Sequence, residues 1–284
     1  MADGFTRALI VTADDFGAAP EVNEAVVRAH REGILTCASL MVAAPAAADA
    51  VVRAKANPRL GVGLHVVLVE GKPVLPASQI PDLIGADGNF RTDMVKVSFA
   101  MAFLPRVRRQ LAAEIEAQFS AFASTGLTLD HVNAHKHFHL HPTIGKLVLE
   151  IGRRYGMKSA RAPVEPPAVL RKIEPNAPGS GIEYFCGGRL RDRFRRAGIF
   201  APDHVFGLAW TGAMTAKRVA ALIENLPEGV SEIYLHPATS AYNGSVAGYR
   251  YSAEFSGLMA PEVIAGSKTV ALGSFGHFQA QTED

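Results

Sequence analysis

Residues 8–33 read Ala8-Leu-Ile-Val-Thr-Ala-Asp-Asp-Phe-Gly17 and then Ala18-Ala-Pro-Glu-Val-Asn-Glu-Ala-Val-Val-Arg-Ala-His-Arg-Glu-Gly33. Residues 8–12 form a short apolar run that stops abruptly at Asp14-Asp15-Phe16-Gly17. Beyond Pro20, Val22, Ala25, Val26 and Ala29 have helical spacing, and Gly33 closes the segment. A strand, a loop and a helix follow from that reading. The alternation recurs: a strand at 36–42 and an alanine-rich helix to 56, with the alanine-dense residues 43–50 read as helix; a strand at 60–66; a helix at 106–122; a strand at 127–133; a helix at 143–155. After 157–162 the pattern loosens through a Pro- and Gly-rich region, 163–178. It recovers with a helix at 215–226, a strand at 232–235, a helical stretch at 253–265 and a strand at 269–272. Strands and helices taking turns predict an α/β protein with a mainly parallel sheet, and about seven such units in one chain predict a barrel. No composition shift, repeat or low-complexity tract divides the sequence, so residues 1–284 are expected to form one domain.

Composition narrows the function classes. The 284 residues are 48% hydrophobic, 20% charged and 8% aromatic, as in an ordinary globular protein. Lys and Arg (29) nearly balance Asp and Glu (27), and a net charge of +2 is too small to suggest nucleic-acid binding by the molecule as a whole, so any basic character must be local. Cys37 and Cys186 stand far apart in no zinc-finger spacing, and residues 1–7 contain no signal-peptide apolar region. A cytoplasmic location is expected. No window approaches the roughly 20 apolar residues of a membrane span.

Asp14-Asp15 lies just past the carboxyl end of the first strand, where parallel α/β folds place ligands and barrel enzymes place catalytic groups. Of two adjacent carboxylates, one can bind a metal while the other accepts a proton; the same pair can also serve as a turn or helix cap. Residues 131–141, His131-Val-Asn-Ala-His-Lys-His-Phe-His-Leu-His141, hold five of the ten histidines. In an extended segment His135, His137 and His139 share a face with Asn133. His65 in Leu60-Gly-Val-Gly-Leu-His-Val66 and His236 in Ile233-Tyr-Leu-His-Pro237 also sit at strand ends. Four strand ends therefore carry Asp or His, and a barrel would bring them together. One carboxylate with two histidines makes an open metal site, for which metal-assisted hydrolysis is the natural reaction class.

The combination of Thr12-Ala-Asp-Asp-Phe-Gly17, Gly63-Leu-His65, the histidine cluster and Leu235-His-Pro-Ala238, in that order over nearly the whole chain, resembles the YdjC-like carbohydrate deacetylases. Flanking stretches such as Cys37-Ala-Ser-Leu-Met-Val-Ala43, Val69-Glu-Gly-Lys-Pro-Val-Leu75 and Arg161-Ala-Pro-Val-Glu165 look most like the family's hopanoid-biosynthesis-associated branch. The resemblance implies a distorted, polysaccharide-deacetylase-like β/α barrel that removes N-acetyl groups from amino sugars. It implies one divalent metal, magnesium or zinc, with cobalt, nickel or manganese also matching the ligand set, held by Asp15, His65 and His135. Asp14 would be the general base and His236 would protonate the leaving amine. Asn133, His137, His139, Arg161 and Glu165 would contact substrate or orient the ligands. The family's aspartate is replaced here by Asn133, and its serine by Ala134, so any charge supplied at that point is lost.

The branch implies an acetylglucosaminyl hopanoid as substrate; the alternatives are chitooligosaccharide deacetylation, a metal-dependent phosphoesterase, or a non-catalytic sugar- or lipid-binding protein. A homodimer is expected from the family. Two segments fit peripheral contact with the inner face of a membrane: the apolar run 97–104 with Arg106, Arg108 and Arg109 after it, and Arg189-Leu-Arg-Asp-Arg-Phe-Arg-Arg196, where Leu190, Phe194 and Ala197 line up at helical spacing.

Overall fold

The apolar run of residues 8–12 becomes the interior of strand β1 (Arg7–Phe16), buried along almost all its length, as in a strand covered on both faces. In the computed structural model residues 6–93, 104–178 and 182–282 are described, residues 182 and 183 by their backbone alone. From β1 the chain runs through α1 (Pro20–Glu32), β2 (Cys37–Leu40), α2 (Ala47–Lys55), β3 (Gly61–Val66), α3 (Pro105–Ser124) and β4 (Val132–Ala134). It continues through α4 (Pro142–Arg154), α5 (Pro167–Ile173), α6 (Ile182–Arg196), β5 (His204–Phe206), α7 (Ala216–Glu224) and β6 (Gly229–Leu235). The last elements are α8 (Tyr251–Leu258), α9 (Pro261–Ser267), β7 (Ala271–Leu272) and α10 (Phe275–Ala280).

All strand pairs are parallel, in the order β4-β3-β2-β1-β6-β5, and β7 pairs with the start of β1. The sheet ends β4 and β5 are spanned by residues 158–164. Val132 N–H donates to Ser159 O (3.1 Å), Arg161 N–H to Val132 O (2.9 Å), Ala160 N–H to Phe200 O (2.9 Å) and Val205 N–H to Val164 O (2.9 Å). Bridges rather than a regular ladder join this segment to its neighbours, and the sheet curls into a distorted β/α barrel.

Helices cover the outside with apolar stripes. In α1, Pro20 occupies the first turn, where its missing N–H costs nothing, and Val22, Ala25, Val26 and Ala29 are buried against the sheet. Each buried valine contributes about 1.5–3 kcal/mol of apolar burial. The lumen is different: Thr12, Asp14, Ser39, His131, Asn133, Arg161 and Glu232 are all buried. Phe275 and Phe278 of α10 pack with Ala8, Ile10 and Cys37.

A polar stripe on α3 holds the long β3–α3 connection. Gln118 brackets Val67, donating to its carbonyl (2.7 Å) and accepting from its N–H (2.9 Å). Glu114 accepts from Val74 and Leu75, and Gln110 from Asp82. The spacing i, i+4, i+8 puts the three on one helix face.

Several expectations need correction. The strand expected at 127–133 is confined to Val132–Ala134. The single helix expected at 253–265 is two, because Pro261 cannot continue α8 and starts α9 instead. Residues 43–46 are turn, and helix begins at Ala47. The region 163–178 holds an unexpected short helix, α5, started by Pro167. The apolar run 97–104 lies outside the described residues except for Leu104. On α6, Leu190 and Phe194 are buried in the core, so the stripe expected at a lipid surface faces inward. Its arginines are engaged within the chain: Arg191 with Asp203 O, Arg193 with Pro142 O and Arg195 with Ala201 O. No helix of the described residues is long and apolar enough to cross a membrane.

Asp203 ties α6 to the start of β6, accepting from Arg195 Nη2 (2.8 Å) and Val230 N–H (2.9 Å). Burial alone would raise its pKa, but these donors outweigh it and hold the carboxyl below its ordinary value. A depressed folded pKa contributes stability above the unfolded value of 3.8 that is lost as pH falls through the folded one. Asp203→Asn should therefore lower Tm at pH 6 and narrow its gap to the parent as the pH is taken to 3; a gap that does not depend on pH would contradict this.

Candidate metal centre

Asp14 and Asp15 would point to opposite faces in a regular strand. A β-bulge between Ala13 and Phe16 shifts the β1–β2 register, and Asp15 adopts φ +62°, a left-handed conformation that aspartate tolerates better than most residues. Asp14 is buried in the lumen while Asp15 lines the cavity. Asp15 Oδ1 stands 3.3 Å from His65 Nε2 and 3.3 Å from His135 Nδ1, and the two nitrogens are 3.4 Å apart. Three lone-pair atoms form a near-equilateral triangle, and Asp15 Oδ1 is buried without a hydrogen-bond partner. Ligands about 2.0–2.2 Å from one centre stand at roughly such separations. Carboxylate oxygen and imidazole nitrogen are a donor set suited to a borderline divalent cation, so the residues fit the metal that the sequence implied.

His65 is oriented from behind. Its Nδ1 lies 2.6 Å from Asn133 Oδ1, so the ring donates there and Nε2 is left as a lone pair. Asn133 Nδ2 donates to Asp14 Oδ1 (3.0 Å) and to Ser39 Oγ (2.8 Å). Arg161, fully buried, binds Asp14 through Nη1 (2.5 Å) and Nη2 (3.1 Å) and Glu232 through Nη2 (2.6 Å), with its guanidinium 4.4 Å from the Tyr234 ring centroid. Thr12 Oγ1 adds a 2.7 Å bond to Glu232. Burial works against charge on Asp14, but Arg161 outweighs it and keeps that carboxyl ionised, well below its usual range.

The histidine cluster does not run extended. Residues 135–140 form a kinked 3-10 segment in which Lys136 and His137 have φ +51° and +52°, so the expected alternation is broken. His135 and His137 still reach the cavity; His137 Nε2 shares a 2.8 Å bond with the Tyr234 hydroxyl. His139 turns away and bonds Arg161 O (2.9 Å). Burial pushes its pKa down to about 3, so a neutral ring anchors the backbone of Arg161. Arg161 and Glu165 do not line the cavity: Glu165 accepts from the N–H groups of Gly207, Leu208 and Ala209 and shapes that loop.

His236 lines the cavity with Nδ1 buried and unpartnered, while its backbone N–H donates to Glu254 Oε2 (2.6 Å). Tyr234 and Tyr249 flank its ring at 5.9 and 5.3 Å. Glu232 and Tyr234 went unnoticed in the sequence as site residues. Their spacing with His236, i, i+2, i+4 along one strand, was the available signal.

Two hollows meet at the triangle. One, about 470 Å³, is lined by His137, Leu208, Thr211, Tyr234, His236 and Tyr249. The other, about 480 Å³, is lined by Met41, Val42, Pro45, Val67, Tyr242 and Asn243. Asp15, His135 and Val246 border both. The first is lined by His137 and His236, whose Nδ1 atoms are buried without a partner; the second has the 41–45 loop along one part of its lining.

The family model described as YdjC-like protein matches residues 8–266. A carbohydrate deacetylase of Brevibacillus brevis is 40% identical over 159 residues, 56% of this chain and 59% of that enzyme, so the match spans less than two thirds of the relative. A carbohydrate deacetylase of Geobacillus stearothermophilus is 31% identical over 233 residues, covering 82% of this chain and 80% of that one. A solved structure from Enterococcus faecalis V583, described as a candidate cellobiose-phosphate cleavage protein, superposes with a TM-score of 0.76 over 96% of this chain and 98% of that one. At 23% identity it speaks to the fold alone.

Proposed function

The chain belongs to the YdjC-like family, and from that premise we propose that it is a metal-dependent carbohydrate deacetylase, cleaving the N-acetyl amide of an amino sugar and releasing acetate. The observation that carries this reading is the Asp15–His65–His135 triangle, with its orphaned carboxylate oxygen, at the junction of two hollows. Those three residues would hold a divalent cation, which supplies charge for the acetyl oxygen and an acidified water. Asp14, kept ionised and aimed by Arg161 and Asn133, receives the proton of the attacking water. The contacts that hold Asp14 charged also make it a weak base, so it serves only a water that is already acidic. Water oxygen adds to the acetyl carbon, the C–N bond breaks, and His236 passes a proton to the departing nitrogen. The first hollow, with its imidazole and phenol groups, takes the polar sugar.

The reading extends to an acetylglucosaminyl hopanoid as substrate. The flanking stretches of the sequence support it; an aglycone beyond the reacting sugar would enter the second hollow, where the apolar 41–45 loop stands with the polar Glu70, Lys72, Asn89 and Gln118. A phosphoesterase is less favoured. The described residues around the cavity offer one ligand triangle, and Lys136, a cation that lines the first hollow, is paired with Glu70.

The test is acetate release, followed by mass spectrometry, from acetylglucosaminyl bacteriohopanetetrol and from N,N′-diacetylchitobiose, with added divalent metal or with chelator. Metal-dependent release from the lipid is expected. Release from chitobiose alone would discard the hopanoid while keeping the chemistry, and release from neither would overturn the deacetylase.

A further inference from the structure

Strand β6 outruns its neighbours before the chain reaches His236. Its pairing with β5 stops at Ile233 and its pairing with β1 at Leu235, where the bulge of β1 begins. His236 therefore stands one residue past the sheet, and Pro237 after it has no N–H to offer. The ring packs between Tyr234 and Tyr249, and its Nδ1 is buried without a partner, so no side chain steadies it through that nitrogen. A backbone N–H beyond the end of the ladder needs an acceptor from elsewhere in the fold.

That acceptor is Glu254 of α8, which is fully buried. Its Oε2 takes the His236 N–H at 2.6 Å, and its Oε1 takes the N–H of Met214 at 2.8 Å. Met214 belongs to the β5–α7 connection, whose Leu208, Ala209 and Thr211 line the first hollow. One carboxylate thus ties the end of β6 to the loop that walls this hollow. The helix is seated to allow it. Gly257, three residues on and so on the same face, lies against the start of α7, where a Cβ would stand 2.9 Å from Ala216 N. The next N–H after the proline, that of Ala238, also reaches α8, at Tyr251 O (3.4 Å).

Burial raises the Glu254 pKa, while charge on His236 and the two N–H donors work against the rise. An ionised carboxylate offers an acceptor oxygen to each donor. A carboxamide of the same shape has one oxygen, and its NH2 would face one of the two N–H groups.

We propose that Glu254 is a positioning residue that fixes the backbone of His236, and with it the direction in which the imidazole meets the departing nitrogen. The inference rests on His236 as the proton donor of the proposed deacetylation. A group misplaced by about 1 Å can cost about a hundredfold in rate, so releasing this N–H is felt at the reacting bond. The test measures acetate release from acetylglucosaminyl bacteriohopanetetrol and from N,N′-diacetylchitobiose by the zinc-loaded protein. It compares the parent with Glu254→Gln, Glu254→Asp, His236→Ala and the double variant Glu254→Gln with His236→Ala. 4-Nitrophenyl acetate serves as a second substrate, because its phenolate leaves without a proton and needs attack but no donor.

Glu254→Gln should lower kcat for the amide about tenfold with KM and zinc content unchanged, and the ratio of amide to ester turnover should fall by the same factor. Glu254→Asp, which keeps two acceptor oxygens on a shorter arm, should retain more of the amide rate than Glu254→Gln. In the His236→Ala background Glu254→Gln should add no further loss, since the group it positions is gone. Amide and ester rates that fall in proportion, as a loosened fold would make them, overturn the positioning role. Losses that multiply in the double variant, or Glu254→Asp no better than Glu254→Gln, overturn it too. Parental turnover in His236→Ala overturns His236 as the donor and Glu254 with it. A parent that releases acetate from neither sugar substrate overturns the deacetylase itself, a failure distinct from the others.

Discussion

Asp15→Asn is expected to lose its metal and its turnover while keeping its fold. Asparagine tolerates the φ of +62° that the bulge imposes, so the change removes charge without straining the backbone. The three candidate ligand atoms stand 3.3–3.4 Å apart, and the triangle has no other carboxylate to compensate. Several kcal/mol of transition-state charge stabilisation would go with the cation, and at 1.36 kcal/mol per tenfold that is about a thousandfold in kcat/KM. Zinc content by mass spectrometry and acetate release check the two halves separately. His135→Ala should behave alike, since it removes another of the three atoms of the triangle. A variant that retains parental activity with no bound metal would refute the metal-assisted reading.

Arg161→Met should have the largest effect on stability. The guanidinium is fully buried between Asp14 and Glu232, and its removal leaves two carboxylates facing each other in the lumen. Removing one partner of a buried ionic group costs about 3–5 kcal/mol, most of it the exposed penalty of the charge left behind. For a chain of this size that is roughly 10 °C in Tm. The double change Arg161→Met with Glu232→Gln should recover part of the loss, since only one charge then stays unpaired. Activity should not return in the double variant, because Asp14 has still lost the group that aims it. An unchanged Tm in the single variant would show that the ion network does not support the barrel.

The alternation of strand and helix, and with it the barrel, could be read from periodicity because each unit buries its own apolar stripe locally. The ends were less legible. Pro261 splits one expected helix into α8 and α9, and residues 158–164 complete the barrel with bridges that leave no hydrophobic period to detect. The candidate ligands Asp15, His65 and His135 could be read as Asp or His at three strand ends, with His236 at a fourth, since strand ends of a barrel converge. Their second layer was not: Arg161 could be singled out only by resemblance, and its bonding to Asp14 and Glu232 spans 147 and 71 residues of sequence.

Which residues could bind a cation, and on which strands they stand, can be read from residue type and period because both are local properties. How those residues are used depends on the packed fold. A one-residue bulge turned Asp15 into the cavity and left Asp14 beneath it, left-handed φ values at Lys136 and His137 sent His139 away from the cavity, and the register of β2, β3 and β4 aligned Ser39, His131 and Asn133 behind His65. Hydrogen-bond direction depends on donors and acceptors meeting within about 3 Å, and only the closed fold brings residues so distant in the chain to that separation.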